Sequence, residues 1–167
     1  RRRHTRYGTV TGVQTCALPI CRKILYPESS VFFALKTERA DGHTFIKNCY
    51  DKGVRYFVIS EDVAIKQYPE AGFIQVNNTL EALQKLAAAH RSSFNEHRIT
   101  NNEQLTTIPI IGITGSNGKT IVKEWLYQLL HEDERIVRSP KSYNSQIGVP
   151  LSVWEMSSEH TLGIYEA

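Results

Sequence analysis

Apolar residues in this 167-residue chain alternate between short continuous runs and stripes of helical period, with polar punctuation between them. Val31-Phe32-Phe33-Ala34-Leu35 is the first run and reads as a buried strand. A polar turn follows over residues 36–42. Residues 43–52 then carry a helical stripe of Phe45, Ile46, Cys49 and Tyr50, closed by Gly53 at a C-cap position. Residues 55–60 predict a second strand, residues 61–68 a short helix or turn ended before Pro69, and residues 73–76 a third strand. Asn78 is placed to cap a long helix from Thr79 to about Phe94, with Leu80, Leu83, Leu86, Ala87 and His90 on one side. Residues 95–107 are polar and aperiodic, as in a linker or long connecting loop.

Ile108-Pro109-Ile110-Ile111-Gly112-Ile113 is an apolar run of the kind that forms a fully buried parallel strand. It breaks into Thr114-Gly115-Ser116-Asn117-Gly118-Lys119-Thr120. A helical pattern follows, with Val122, Trp125, Leu126, Leu129 and Leu130 as its apolar face. Residues 135–138 predict a short strand and residues 139–148 a polar loop. Pro150 suits the first turn of a helix carrying Leu151, Val153, Trp154 and Met156, and residues 161–166 predict a final strand. Strands alternating with helices give an α/β fold: a small N-terminal α/β domain over residues 22–105, then the start of a P-loop parallel-sheet ATPase domain over residues 106–167. A parallel domain of that kind needs more strands than these residues supply, so a truncated second domain is expected.

Composition is that of a water-soluble globular chain, 41% hydrophobic and 22% charged, with no apolar run near the roughly 20 residues that cross a bilayer. The net charge of +3 is misleading, because Arg1, Arg2, Arg3 and Arg6 supply four positive charges in a stretch without acids. Beyond residue 21 the chain holds 16 basic and 17 acidic side chains, which argues against a nucleic-acid-binding surface. Cys16, Cys21 and Cys49 stand in no metal-like spacing and point to a reducing compartment without a disulfide framework.

Residues 1–21 differ from the rest. They lack acids, show no sustained period, and mimic a signal peptide without its apolar core. They resemble translated sequencing-adapter read-through, so the expectation is a non-native leader with the authentic sequence starting near Arg22. The competing reading is a basic tail that binds an anionic surface.

The chemistry concentrates at residues 108–120. Strand, glycine-rich loop, Lys-Thr and helix, in that order, make a phosphate cradle. The glycines let the backbone turn tightly and aim N–H groups of Gly115, Ser116, Asn117, Gly118, Lys119 and Thr120 at one anion. The helix N-terminus adds partial positive charge. Lys119 can reach the terminal phosphates, and the Thr120 hydroxyl is placed to ligate Mg²⁺. The strict Walker A pattern wants glycine where Ile113 stands; the form present is Thr-Gly-x-x-Gly-Lys-Thr. The bland alternative is a βα turn that binds nothing. His90 reads as a helix contact, Cys49 as core, and His131 as a complement to a helix C-terminus.

Four stretches together resemble the Mur ligase family, the ATP-dependent amide-forming enzymes of peptidoglycan assembly. Arg22-Lys23 with Val31-Phe32-Phe33-Ala34-Leu35-Lys36 and Asp41-Gly42-His43-x-Phe45-Ile46 resembles its N-terminal, UDP-binding domain. Residues 112–120 match its form of the P-loop. Asn144-x-x-Ile147-Gly148-Val149-Pro150 resembles the segment after the second strand of its ATPase domain, and Tyr165-Glu166-Ala167 the strand end that carries a Mg²⁺-binding glutamate. The family usually has Asp-Ser-Arg where this chain has Ile20-Cys21-Arg22.

The resemblance implies a cytoplasmic enzyme that uses ATP and Mg²⁺ to activate a carboxylate as an acyl phosphate for attack by an amine. It implies Lys119 as the catalytic cation, residues 115–120 as the ATP cradle, and Arg22 and Asn144 as substrate contacts. Thr120 and Glu166 become the Mg²⁺ ligands. An Asx turn for Asn144 and an ordinary strand-end carboxylate for Glu166 are the alternatives. The Ile147-Gly148-Val149-Pro150 segment leans toward the member that joins D-Ala-D-Ala to UDP-N-acetylmuramoyl-tripeptide, rather than the one that adds the preceding amino acid. The ligase fused to a C-terminal alanine racemase, seen in some bacteria, is a candidate parent. A non-catalytic module binding a nucleotide or UDP-sugar peptide is the reading from a different class. With much of the family's length beyond residue 167, the fragment alone is expected to be inactive.

Overall fold

The computed structural model describes residues 13–15, 26–38, 40–96, 108–140 and 143–167. Arg22, the predicted boundary near residue 105 and the leader apart from Val13–Thr15 lie outside the described residues. The chain forms two compact units, residues 1–80 and 81–167.

In chain order the first unit contains β1 (Val13–Thr15), β2 (Val31–Phe33), β3 (Lys36–Thr37), β4 (Ala40–Asp41), α1 (Ile46–Asp51), β5 (Tyr56–Ile59) and β6 (Gly72–Gln75). A wholly parallel sheet runs β1-β2-β5-β6, and β3 and β4 form a small antiparallel ladder. Phe32, Ala34, Ile46, Cys49, Val54, Phe57 and Ile59 make its core, so the predicted strand runs and the Ile46/Cys49 stripe do pack inward. Phe57 stacks on Phe73 at 5.1 Å and meets Phe32 edge-on at 5.9 Å. Gly53 closes α1 with φ +99°, its N–H on the Tyr50 carbonyl at 2.9 Å.

The Asp41-Gly42-His43 turn locks two strand ends together. The Gly42 N–H donates to the Leu35 carbonyl at 2.8 Å. A Cβ at position 42 would lie 2.7 Å from the Leu35 nitrogen and 2.8 Å from the Ala34 carbonyl carbon, so only glycine allows this approach. Asp41 Oδ1 accepts from the His43 backbone N–H at 2.9 Å and meets ring Nδ1 at 2.6 Å. Ring Nε2 accepts from the N–H groups of Ser60 and Glu61 at 3.1 and 3.3 Å, just past the end of β5.

The helix α2 (Thr79–Glu96) opens as predicted, with Asn78 Oδ1 accepting from the Leu80 N–H at 2.9 Å. Leu83 and Ala87 are buried, while Leu86 is exposed. The second unit continues with β7 (Ile110–Ile113), α3 (Lys119–Leu130), β8 (Ile136–Arg138), α4 (Gly148–Trp154) and β9 (Leu162–Glu166). Its sheet is parallel in the order β7-β9-β8. The central strand β9 is buried throughout.

Two expectations change here. β7 is not fully buried: Ile110, Ile111 and Ile113 are half-buried and Gly112 is exposed, because β7 is an edge strand among the described residues. The inner face of α3 is also rotated from the predicted one. Val122, Trp125 and Leu129 are exposed, whereas Lys123, Leu126, Tyr127 and Leu130 are buried or half-buried. Those four stand at i, i+3, i+4 and i+7, a helical face whose first member is a lysine.

Gly42→Ala should cost about 1–3 kcal/mol through overpacking against backbone that cannot yield, read as a lower urea midpoint at unchanged slope. A second expectation concerns acid. Burial pushes the Asp41 carboxyl up, but the His43 backbone N–H, its ring and Lys36 together hold it below the ordinary carboxylate value. A carboxyl lowered on folding stabilises above its unfolded pKa, and that contribution is lost as pH falls through the lowered value. Asp41→Asn should therefore flatten the acid limb of thermal melts recorded below about pH 4.

Candidate functional site

The site grows from the carboxyl end of β7. Ile113 pairs in register with Glu166 on β9, so the loop after β7 and the Glu166 side chain emerge at the same end of the sheet. Ligands of open parallel sheets bind at that end. The loop turns through Gly115 (φ +138°) and Gly118 (φ +79°), the left-handed conformations that glycine adopts without strain. Gly118 is the N-cap of α3 and brings no capping side chain to the helix N-terminus.

Ser116, Asn117, Gly118, Lys119, Thr120, Ile121, Asn144 and Glu166 line a cavity of about 310 Å³. Six of the residues proposed from sequence for nucleotide, substrate and metal binding therefore share one wall with Glu166. Lys119 Nζ donates to the Gly115 carbonyl at 2.6 Å, folding its ammonium across the loop mouth. Thr120 Oγ1 donates to Glu166 Oε2 at 3.1 Å. A second, more apolar cleft of about 470 Å³, lined by Ala87, Ala88, Arg91, Val149, Pro150 and Val153 among others, shares Asn144 with the first.

Sequence reading missed the support beneath the cavity. Lys123 and Glu166 have no exposed surface, and Lys123 Nζ stands 2.7 Å from Glu166 Oε1. Lys123 Nζ also donates to the Ser139 carbonyl at 2.9 Å. Ser139 Oγ accepts from the Glu166 N–H at 3.0 Å, and the Ser139 N–H donates to the Ile164 carbonyl at 3.1 Å. The only signal in the sequence was a lysine at the head of the Leu126/Tyr127/Leu130 stripe. Outside this knot, Arg138 pairs with Glu124 and lies 3.8 Å over the Tyr127 ring.

A divalent cation suits the Thr120–Glu166 pair. Both offer hard oxygen donors. Neighbouring ligands of an octahedral ion with bonds of about 2.1 Å lie about 3.0 Å apart, and the observed oxygen separation is 3.1 Å.

Two other candidates resolve as structural. His90 stacks on Trp154 at 4.4 Å, meets Phe94 edge-on, and engages the Met156 carbonyl at 3.0 Å. Asp41, His43 and Glu61 bring ligand-type atoms within 4.8 Å of one another. Both imidazole nitrogens are already engaged, however, and Glu61 pairs with Lys36.

Residues 27–91 match the model described as "Mur ligase family, catalytic domain", and residues 113–167 match the Mur ligase middle domain. The chain belongs to the Mur ligase family. Its relatives include the UDP-N-acetylmuramoyl-tripeptide–D-alanyl-D-alanine ligase of Treponema pallidum, 34% identical over 148 residues, with 81% of this chain and 29% of that protein aligned. The enzyme of the same name from Synechocystis is 36% identical over 136 residues, covering 81% of this chain and 27% of that one. Among solved structures, the MurF ligase from Thermotoga maritima in complex with ADP superposes with a TM-score of 0.71 at 25% identity, over 96% of this chain and 33% of that one. This Mur ligase chain thus spans under a third of the length of the two sequence relatives. No helix among its described residues is long and apolar enough to cross a membrane.

In this Mur ligase chain the Lys123–Glu166 pair should behave as one unit. Lys123→Met alone, which strands a buried carboxylate, should cost about 3–5 kcal/mol. The double variant Lys123→Met/Glu166→Gln should recover most of that loss in a denaturant double-mutant cycle.

Proposed function

We propose that the parent protein is the ATP-dependent ligase that joins D-Ala-D-Ala to UDP-N-acetylmuramoyl-tripeptide, by way of an acyl phosphate. The observation that carries this reading is the single cavity uniting residues 116–120 with Asn144 and Glu166, in a chain whose relatives bear that name. We assign residues 22–105 to a UDP-substrate domain and residues 106–167 to the first part of the ATP domain, with the boundary between the two matched segments, 27–91 and 113–167. A cytoplasmic setting belongs to the same proposal.

A carboxylate approaching a triphosphate meets strong repulsion, so the site must neutralise phosphoryl oxygens. Backbone N–H groups from Gly115 to Thr120 and the N-terminus of α3 do this without side-chain reorganisation. Lys119 supplies a full positive charge once its ammonium leaves the Gly115 carbonyl for phosphate. Thr120 and Glu166 would hold Mg²⁺, which supplies further charge neutralisation on the phosphates when bound. Asn144, on the wall common to the cavity and the apolar cleft, is assigned to orienting the carboxylate substrate. Arg22 is assigned to the UDP-substrate contact.

Parent enzyme supplied with ATP, Mg²⁺, UDP-N-acetylmuramoyl-tripeptide and D-Ala-D-Ala should release phosphate and the extended product in equal amounts, read by mass spectrometry. Lys119→Ala should lower kcat/KM by at least about 100-fold. Phosphate release without product, or an unaffected Lys119→Ala enzyme, contradicts the proposal.

A further inference from the structure

The ligase reading uses the loop, Thr120 and Glu166, and leaves a fully buried ammonium beneath them without a role. We propose that Lys123 is a positioning residue that makes Glu166 a one-oxygen ligand, and so tunes the site for a small octahedral cation over a large one. This rests on the reading that Thr120 and Glu166 hold the cation.

The geometry divides the carboxylate in two. Oε1 is ion-paired with Lys123 Nζ at 2.7 Å, without the alignment of a hydrogen bond, and Oε2 accepts from Thr120 Oγ1 at 3.1 Å. Lys123 cannot easily turn away, because the same ammonium donates to the Ser139 carbonyl at 2.9 Å, with Glu124 Oε1 at 3.6 Å. Nor can Glu166 shift along its strand, because its N–H is held by Ser139 Oγ at 3.0 Å and the next residue's N–H by the Ile113 carbonyl at 2.9 Å. A sheet-facing position on a helix ordinarily takes an apolar side chain, since a buried ammonium is costly without compensation. Leucine here would fill the space but leave both carboxylate oxygens free to rotate toward the cavity. Mg²⁺ takes single carboxylate oxygens in an octahedron, whereas Ca²⁺ accepts bidentate carboxylates in larger, looser shells. Pinning Oε1 therefore favours the smaller ion, and it does so through a residue that touches neither metal nor phosphate.

The test uses the parent protein with ADP and Mn²⁺, a spectroscopic stand-in for Mg²⁺, followed by electron paramagnetic resonance. Wild type should bind Mn²⁺ in the ADP complex. Lys123→Met should weaken Mn²⁺ by about 10–100-fold, the usual effect of losing a partner that orients a metal ligand. It should leave metal-free ADP affinity within about twofold, and Ca²⁺ should compete better against Mn²⁺ than in wild type. A merely structural lysine would not move that ion preference. Unchanged Mn²⁺ affinity and ion preference in Lys123→Met overturn the proposal while leaving the nucleotide reading intact. Wild type that binds no Mn²⁺ with ADP overturns the nucleotide reading and this inference with it. Should Lys123→Met fail to fold, infrared difference spectra of wild type labelled with ¹³C-glutamate decide the matter. A Mg²⁺-induced widening of one carboxylate's stretch splitting signals one-oxygen binding, and a narrowing, which signals bidentate binding, contradicts it.

Discussion

Among the described residues of the second unit, the site is built over one buried ion pair. Lys123 on α3 and Glu166 at the end of β9 are both fully enclosed, and each would be untenable there without the other. The pair lies on the inward face of α3, whose rotation turns Lys123, Leu126, Tyr127 and Leu130 inward and leaves Trp125 and Leu129 in solvent. That rotation brings Thr120, three residues earlier on the helix, to the Glu166 carboxylate. The N-terminus of α3 is thereby aimed over the carboxyl ends of β7 and β9, where its exposed amides and Lys119 border one cavity. A charge pair that contributes little net stability can in this way fix how a carboxylate is presented to the cavity beside a phosphate-binding loop.

The first unit uses the same device with neutral and singly charged groups. His43 joins Asp41 to the backbone just past β5, satisfying two N–H groups that the parallel ladder leaves open. Gly42 lets the chain press against Leu35 so that the imidazole arrives at that point. In both units the apolar core makes the layers, and a small polar knot fixes the ends of the parallel strands, where loops carry function.

Much of this was legible in the residues. The apolar runs at 31–33, 56–59, 110–113 and 162–166 became strands, and the Asn78 cap and Gly53 stop lie where turn and cap chemistry put them. The glycine-rich turn before α3 followed from types and spacing, and the company of residues 116–120 with Asn144 and Glu166 followed from the family resemblance. Lys123 did not, because a buried lysine is intelligible only with its partner, and Glu166 lies far along the chain. Reading Val122, Trp125 and Leu129 as the inner face was a natural error: they are apolar and helically spaced, and hydrophobicity alone cannot weigh a paired charge against them. The edge position of β7 escaped for a related reason, since strand order is a tertiary property that an apolar run does not encode.

The most direct measurement of the central claim is a crystal structure of the parent protein with ADP and Mn²⁺, using the anomalous signal to locate the ion. The terminal phosphate should lie against the backbone of residues 115–120, and Mn²⁺ beside Thr120 Oγ1 and Glu166 Oε2. Lys123 should remain on Oε1 and Lys119 should be drawn from the Gly115 carbonyl to phosphate. An ion bound elsewhere, or Lys123 withdrawn from Glu166 to meet the phosphate itself, would contradict it.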